Sequence, residues 1–255
     1  MLCVADIGNT HTVLGLFDGE KLQKKWRLRT DPERTTDEWG LTLKNLFELA
    51  GRDMQEASDM AIASVVPQAV HSLSRASIRY FGVEPLVIGP GVKTGLAIRY
   101  ESPREVGADR VVNAVAAYTL VQKSCIVVDF GTATTFDCIS YKGEYQGGVI
   151  SPGIGTALDA LVTRAAKLPR VEIAKPRNVV GRNTVESIQS GILYGYVSLV
   201  DGLVERLTKE MGEDVAILAT GGLAGVIASE SATIEKVDQN LTLEGLRLIF
   251  ERNRQ

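Results

Sequence analysis

The chain has 255 residues, 45% of them hydrophobic and 23% charged, which is enough apolar content for one or two compact domains. Its 28 basic and 31 acidic side chains leave a formal net charge of −3. That balance gives no sign of a basic face for nucleic acid, so an anionic ligand must be held by local dipoles and cations. No apolar run approaches the ~20 residues that a membrane span needs, and the first residues already read as a strand rather than a leader. Cys3, Cys125 and Cys138 lie in or beside apolar runs and form no CxxC pair. The expectation is buried free thiols, no zinc, and a reducing, cytoplasmic setting.

In chain order, the runs at 2–5 and 13–17 read as short buried strands. Asp18-Gly19 marks a hairpin before the alternating Leu22, Lys24, Trp26 and Leu28, so three antiparallel strands open the first sheet. A polar loop at 31–36 leads into a helix over 37–50, with Gly51 as its stop. Residues 60–66 read as a strand, Pro67 opens a helix to about 80, and 86–88 is a short strand. Alternating strand and helix imply a mostly parallel continuation. Residues 93–110 are polar and turn-rich, and an apolar helix follows over 111–121. The domain boundary falls near 120, which gives domains 1–120 and 121–255 joined without a flexible linker. The second half then repeats the pattern. Strands at 126–129, 134–140 and 147–150 are followed by a helix to about 167 and a surface loop over 168–182. A long helix starts at Thr184, a strand spans 215–219, and Thr220-Gly221-Gly222 turns into a short helix. Val237-Asp238 and a helix over 241–250 finish the chain.

Two stretches carry chemistry. Asp6-Ile7-Gly8-Asn9-Thr10-His11-Thr12 ends a strand on a carboxylate and fills the turn with hydroxyls. Gly8 lets the backbone take a positive φ and come close to a ligand, Asn9 tolerates the same region, and such a turn can cradle an anion. An Asp beside a phosphate needs a cation between them. The stretch is therefore either an acid that holds a metal, or its water, against a nucleotide phosphate, or an ordinary hairpin. Val127-Val128-Asp129-Phe130-Gly131-Thr132-Ala133-Thr134-Thr135 repeats the design about half a chain later, and internal repetition of this kind bears on the whole fold. Two domains that each offer a phosphate hairpin resemble the actin–hexokinase–Hsp70 ATPase superfamily. That resemblance implies two duplicated ribonuclease-H-like α/β domains, with mixed sheets flanked by helices and an ATP cleft between them.

Other candidates keep two readings each. In Val106-Gly107-Ala108-Asp109-Arg110, Asp109 is a helix cap or a proton acceptor for a substrate hydroxyl. Arg110 offers a fork for a carboxylate. Asp129 at a strand end needs turn amides or a cation as partner. Thr132 and Thr134 can reach phosphate oxygens or satisfy backbone. Tyr100 is core or a substrate wall, and Thr184 is a cap or a ligand. His11 and His71 are isolated and suggest no nucleophilic site. Thr220-Gly221-Gly222 resembles an adenosine-side turn but equally a plain one. No GxxxxGK[ST] motif is present, so this is not a P-loop chain.

Taken together, Asp6 to Thr10, Lys93-Thr94-Gly95, Ile98-Arg99-Tyr100, Pro103 to Arg110, Asp129 to Thr134, Gly147-Gly148, Ser151-Pro152-Gly153 and Asn183 to Ser187 resemble type III pantothenate kinase over nearly the whole chain. The resemblance implies ATP-dependent phosphorylation of pantothenate to 4′-phosphopantothenate, the first step towards coenzyme A. It implies that Asp109 accepts the hydroxyl proton. Tyr100, Gly107, Ala108, Asp109, Arg110 and Thr184 would line the pantothenate site. Asp6, Ile7, Gly8, Asn9, Thr10, His11, Thr12, Val13 and Thr132 would hold ATP. Asp129 would bind a monovalent cation, K+ or NH4+, with Mg2+ arriving on ATP. A homodimer sharing the pantothenate site would be the working unit, with no nucleic-acid or membrane partner. The alternative is a nucleotide-binding transcriptional accessory factor without turnover, and an intact Asp109 speaks against it.

Overall fold

The computed structural model describes residues 1–212 and 214–254. Strands β1 (Leu2–Ile7), β2 (His11–Asp18) and β3 (Lys21–Arg29) form an antiparallel meander. Helix α1 (Thr36–Leu49) starts at a capping box between Thr35 and Glu38, which satisfies two of its otherwise unpaired first amides. Strand β4 (Asp59–Ser64) runs parallel to β1, α2 (Pro67–Ala76) follows, and β5 (Leu86–Val87) runs parallel to β4. The sheet order is β3-β2-β1-β4-β5. Strand β1 lies at the centre, so its sequence is a continuous apolar run rather than an alternating one. Edge strand β3 alternates instead.

Next come β6 (Ala97–Ile98), α3 (Ala108–Val121), β7 (Cys125–Phe130), β8 (Ala133–Ile139) and β9 (Glu144–Pro152). They are followed by α4 (Ile154–Arg164), α5 (Thr184–Met211), β10 (Ala216–Gly221), α6 (Ala224–Ala228), β11 (Lys236–Val237) and α7 (Leu241–Asn253). The second sheet runs β11-β10-β7-β8-β9-β6. Without its extra edge strand β6, it repeats the first sheet strand for strand: an antiparallel meander, then two strands parallel to the first. The α/β fold with two mixed, helix-flanked sheets is therefore a duplication.

Three expectations change. The polar stretch at 93–110 contributes β6, and α3 begins at Ala108, not near 111, so Asp109 stands in a helical first turn. The chain divides by contacts into two compact units. One holds Met1–Leu96, Glu101–Ala116 and the segment from Leu241, and the other holds Ala97–Tyr100 and Ala117–Asn240. Helix α7, read with the second half, thus packs in the first unit. Its Leu243, Leu246 and Ile249 join Val4, Phe17, Ala61, Val112 and Val115 in one buried cluster. Gly245 makes this possible, because a Cβ there would run into the Val112 carbonyl of α3. Removing a buried leucine such as Leu246 would cost about 2–5 kcal/mol.

The first sheet's other face packs on α1 and α2 through Ile7, Leu14, Leu16, Trp39, Leu43, Phe47 and Leu73. In the second unit, α5 lies on its sheet through Leu193, Val197, Val200 and Val204.

Candidate active site

Strands β1 and β7 share one burial pattern: every position is buried except one half-buried residue, and that residue is Asp6 in β1 and Asp129 in β7. Each aspartate therefore sits at the end of a buried central strand with limited access to water. Ionising it there requires hydrogen bonds or a counter-charge.

In the first hairpin, Ile7 pairs with Thr12 and Asp6 with Val13. The Gly8 amide closes the turn on the His11 carbonyl at 3.0 Å. Thr30, just beyond β3, locks the turn from the side. Its amide donates to the Thr10 carbonyl at 3.0 Å, its hydroxyl donates to the Gly8 carbonyl at 2.7 Å, and Oγ1 lies 2.9 Å from Oγ1 of buried Thr12. Asn9, Thr10 and His11 remain exposed. Neither Gly8 nor Asn9 adopts a positive φ. The three-residue turn is closed by hydrogen bonds within ordinary backbone space, so the left-handed geometry that glycine allows is not used. Gly8 is instead small for contact, since a Cβ would lie 3.2 Å from the His11 carbonyl. His11 Nδ1 lies 3.0 Å from Arg27 Nη2. Partial desolvation and then the Arg27 charge hold the imidazole below its ordinary value, so Nδ1 accepts from the guanidinium.

The second hairpin pairs Phe130 with Thr134 and Asp129 with Thr135, and the Gly131 amide donates to the Ala133 carbonyl at 3.0 Å. Here the turn is held by the start of α4. The Thr132 carbonyl accepts the Gly153 amide at 3.1 Å and the Thr156 hydroxyl at 2.8 Å. A Cβ on Gly153 would come within 2.5 Å of the Gly131 carbonyl, so only glycine lets the helix start this close. The Tyr196 hydroxyl on α5 donates to the Pro152 and Gly153 carbonyls at 3.0 and 3.2 Å. Beside the hairpin, Gly221 at the end of β10 has φ 94°, and a Cβ there would stand 2.6 Å from both Asp129 Oδ1 and the Phe130 carbonyl. The Asp129 carboxylate and the Phe130 carbonyl are hard oxygen donors, which suit a hard cation rather than a soft metal.

Asp109 is the second residue of α3. Its Oδ1 accepts the Arg110 amide at 2.8 Å, and a Cβ on Gly107 would come to 2.5 Å from the same oxygen. Asp109 is half-buried and Arg110 is buried. Val65 ties this turn to the first hairpin. Its amide donates to the Ile7 carbonyl at 3.1 Å, and its side chain lies 3.8 Å from the Cβ position of Gly107. The structure thus gathers Asp6 to Val13 and Gly107 to Arg110 in one unit.

In the second unit, the Tyr100 ring packs on Tyr145 at 6.4 Å between centroids. It also sits over Gly147, whose φ of 115° excludes most side chains. Tyr145 is itself fixed, because its hydroxyl donates to buried Asp137 at 2.7 Å. Thr184 stands apart from these. It lines a groove of about 780 Å3 with Leu161, Leu168, Arg182, Asn183 and Ile188, among others, and none of Tyr100, Asp129 or Thr132 borders that groove. Thr184 is not the helix cap. Asn183 is, accepting the Glu186 amide at 2.9 Å, which leaves the Thr184 hydroxyl uncommitted to capping. Thr30, Gly153, Thr156 and Gly221 were missed as supports. Ser151-Pro152-Gly153 and Thr220-Gly221-Gly222 carried the legible signal, glycine turns at strand ends.

Residues 1–206 match the type III pantothenate kinase family. A type III pantothenate kinase of Geobacter sulfurreducens is 55% identical over 255 residues, covering 100% of both chains. A Campylobacter jejuni protein described as a Baf family transcriptional activator superposes with TM-score 0.62 at 17% identity, over 99% of this chain and 98% of that one. A ROK hexokinase of Thermus thermophilus superposes with TM-score 0.52 at 14% identity, over 100% and 99%. Both structures, at such identities, share the fold alone. With duplicated acid-ended hairpins, the Gly107–Asp109 turn and more than half of its residues in common with a relative of equal length, the chain belongs to the type III pantothenate kinase family.

Proposed function

We propose that this protein transfers the γ-phosphoryl group of ATP to the hydroxyl of pantothenate, yielding 4′-phosphopantothenate and ADP in the first step towards coenzyme A. The observation that carries this reading is the full-length identity to an enzyme of that name. The hydroxyl oxygen attacks the γ-phosphorus, the bond to the β–γ bridging oxygen breaks, and the proton passes to Asp109. Because phosphoryl transfer has a loose transition state, the base mainly orients the nucleophile. The short reach of an aspartate, braced over Gly107 and by the Arg110 amide, suits that task. Residues Asp6 to Val13 and Thr132 hold the nucleotide. Tyr100, Gly107 to Arg110 and Thr184 hold pantothenate, with the Arg110 guanidinium matched to its carboxylate.

ATP comes with a divalent metal, as kinase chemistry requires. A monovalent cation, K+ or NH4+, at Asp129 would supply positive charge between that carboxylate and the phosphates. Supporting this are the half-buried position of Asp129 and the Phe130 carbonyl oxygen near it. A homodimer is the proposed working unit. Val179 and Val180 are 65% and 78% exposed, and Val185 and Leu161 are exposed as well, beside the groove that holds Thr184. An apolar rim of this kind suits a second copy. Among the described residues no helix is long and apolar enough to cross a membrane, and the cytoplasm is the proposed location. The fold likeness to the Campylobacter protein lends the accessory-factor reading no support.

The test is an ADP-release assay with ATP, Mg2+ and K+ over a panel of small alcohols. Turnover with pantothenate well above every other alcohol is expected. No ADP release with pantothenate, or equal release with unrelated alcohols, would overturn the assignment.

A further inference from the structure

The duplication allows the two hairpins to be compared residue by residue. Thr12 opposite Ile7 corresponds to Thr134 opposite Phe130. The amide that pairs with the Thr10 carbonyl comes from Thr30, and the amide that pairs with the Thr132 carbonyl comes from Gly153. Thr30 and Gly153 are therefore equivalent positions. Thr30 adds a hydroxyl that reaches the Gly8 carbonyl and Thr12. Gly153 can add nothing, because a side chain there would collide with the Gly131 carbonyl. Two consequences are visible. The buried Thr134 hydroxyl has no hydrogen-bond partner among the described residues, where Thr12 has Thr30. A hydroxyl does reach this turn one helical turn later, from Thr156, but on the Thr132 carbonyl at 2.8 Å, the counterpart of the Thr10 carbonyl rather than of the Gly8 carbonyl.

We propose that Thr30 and Thr156 are positioning residues for nucleotide phosphate, each holding one hairpin turn through a side-chain hydroxyl. The proposal rests on the reading that these hairpins hold ATP. The physical reason is peptide planarity. A tied carbonyl fixes the plane of its peptide and so the direction of the following N–H. Thr30 fixes the Gly8–Asn9 peptide, and Thr156 adds a second tie to the Thr132–Ala133 peptide beside the Gly153 amide. Donors fixed before the ligand arrives cost no reorganisation during the reaction. Neither threonine needs to touch the nucleotide.

Valine keeps the shape of threonine and loses the hydroxyl, while serine keeps the hydroxyl and loses the methyl. Thr30→Val, Thr30→Ser, Thr156→Val and Thr156→Ser are made in the full chain. Each is measured for kcat/KM with ATP, for KM with pantothenate, for thermal midpoint, and by calorimetric titration with a non-hydrolysable ATP analogue. Each valine variant should lose roughly five- to tenfold in analogue affinity and in kcat/KM for ATP, the scale of one net hydrogen bond. KM for pantothenate should stay unchanged, and the serine variants should resemble wild type. Thr156 is exposed, so its variants keep the test sharp if Thr30→Val fails to fold. Wild-type binding with undiminished valine variants overturns this inference alone. Serine variants as impaired as valine also overturn it, because the methyl would then be what matters. Absence of analogue binding by wild type overturns the nucleotide reading and this inference with it.

Discussion

The carboxylate of Asp109 lies so close over Gly107 that a Cβ on residue 107 would stand 2.5 Å from Oδ1. Gly107 has no positive φ, so alanine fits the backbone there and acts only by displacing the carboxylate. Gly107→Ala should therefore lower kcat while the fold persists, and Asp109→Asn should cut turnover at least ~10²-fold, the scale of a positioned base. Steady-state rates with circular dichroism as the control decide this. Near-normal turnover of folded Asp109→Asn would remove Asp109 from the role of base.

Asp129 gives a cation-specific prediction. Activity should rise steeply when K+ or NH4+ replaces a bulky organic cation at equal ionic strength, and Asp129→Ala should abolish the response. A rate indifferent to the identity of the cation would leave Asp129 a structural role only.

For the shared site, an Asp109→Asn chain is mixed with a Thr184→Arg chain. If each site draws Asp109 from one subunit and Thr184 from the other, the mixed dimer carries one doubly defective site and one intact site. Up to about half of wild-type activity per mixed dimer should return, by the symmetry of a two-fold interface. Confirmed subunit exchange without recovery would mean that Thr184 serves its own chain or none.

All three cysteines are buried. Burial pushes the Cys3 thiol up to about 12, and burial followed by the neighbouring Cys138 pushes Cys125 up to about 12. Since the thiolate is the reactive form, Ellman's reagent at pH 8 should find no fast thiol in the native protein and three after denaturation. A native fast phase would show that a strand holding one of them opens readily.

Asp201 provides a pH dependence. Burial acts to raise its carboxyl, but the hydroxyls of Ser231 and Thr233 and the amides of Ala232 and Thr233 together hold it below the usual range. A depressed carboxylate stabilises the fold above its unfolded value of about 3.9 and loses that contribution as pH falls through the folded value. Urea midpoints should therefore fall more steeply below about pH 4 in wild type than in Asp201→Asn. Parallel curves would assign the acid sensitivity to other groups.

What the sequence determined by itself was local. Both hairpins were legible because buried central strands write themselves as apolar runs, and an aspartate at the end of such a run stands out. The close approach of Asp109 to Gly107 was legible because a glycine two residues before an acid at a helix start leaves room for the carboxylate. The conformation of Gly8 was not legible, since glycine permits a positive φ without requiring one, and the His11 and Thr30 hydrogen bonds close the turn without it. Asn183 and Thr184 are both competent caps, and only the side-chain geometry selects Asn183. The tertiary structure alone decided the rest. The apolar stripe of α7 says that the helix must cover a sheet, but two sheets of the same topology offer equivalent faces, and the fit of Gly245 against α3 chooses the first. Thr30 and Thr156 sit at unrelated distances from the turns they hold, so no sequence repeat links them. Their roles exist only where the chain brings a hydroxyl to a carbonyl.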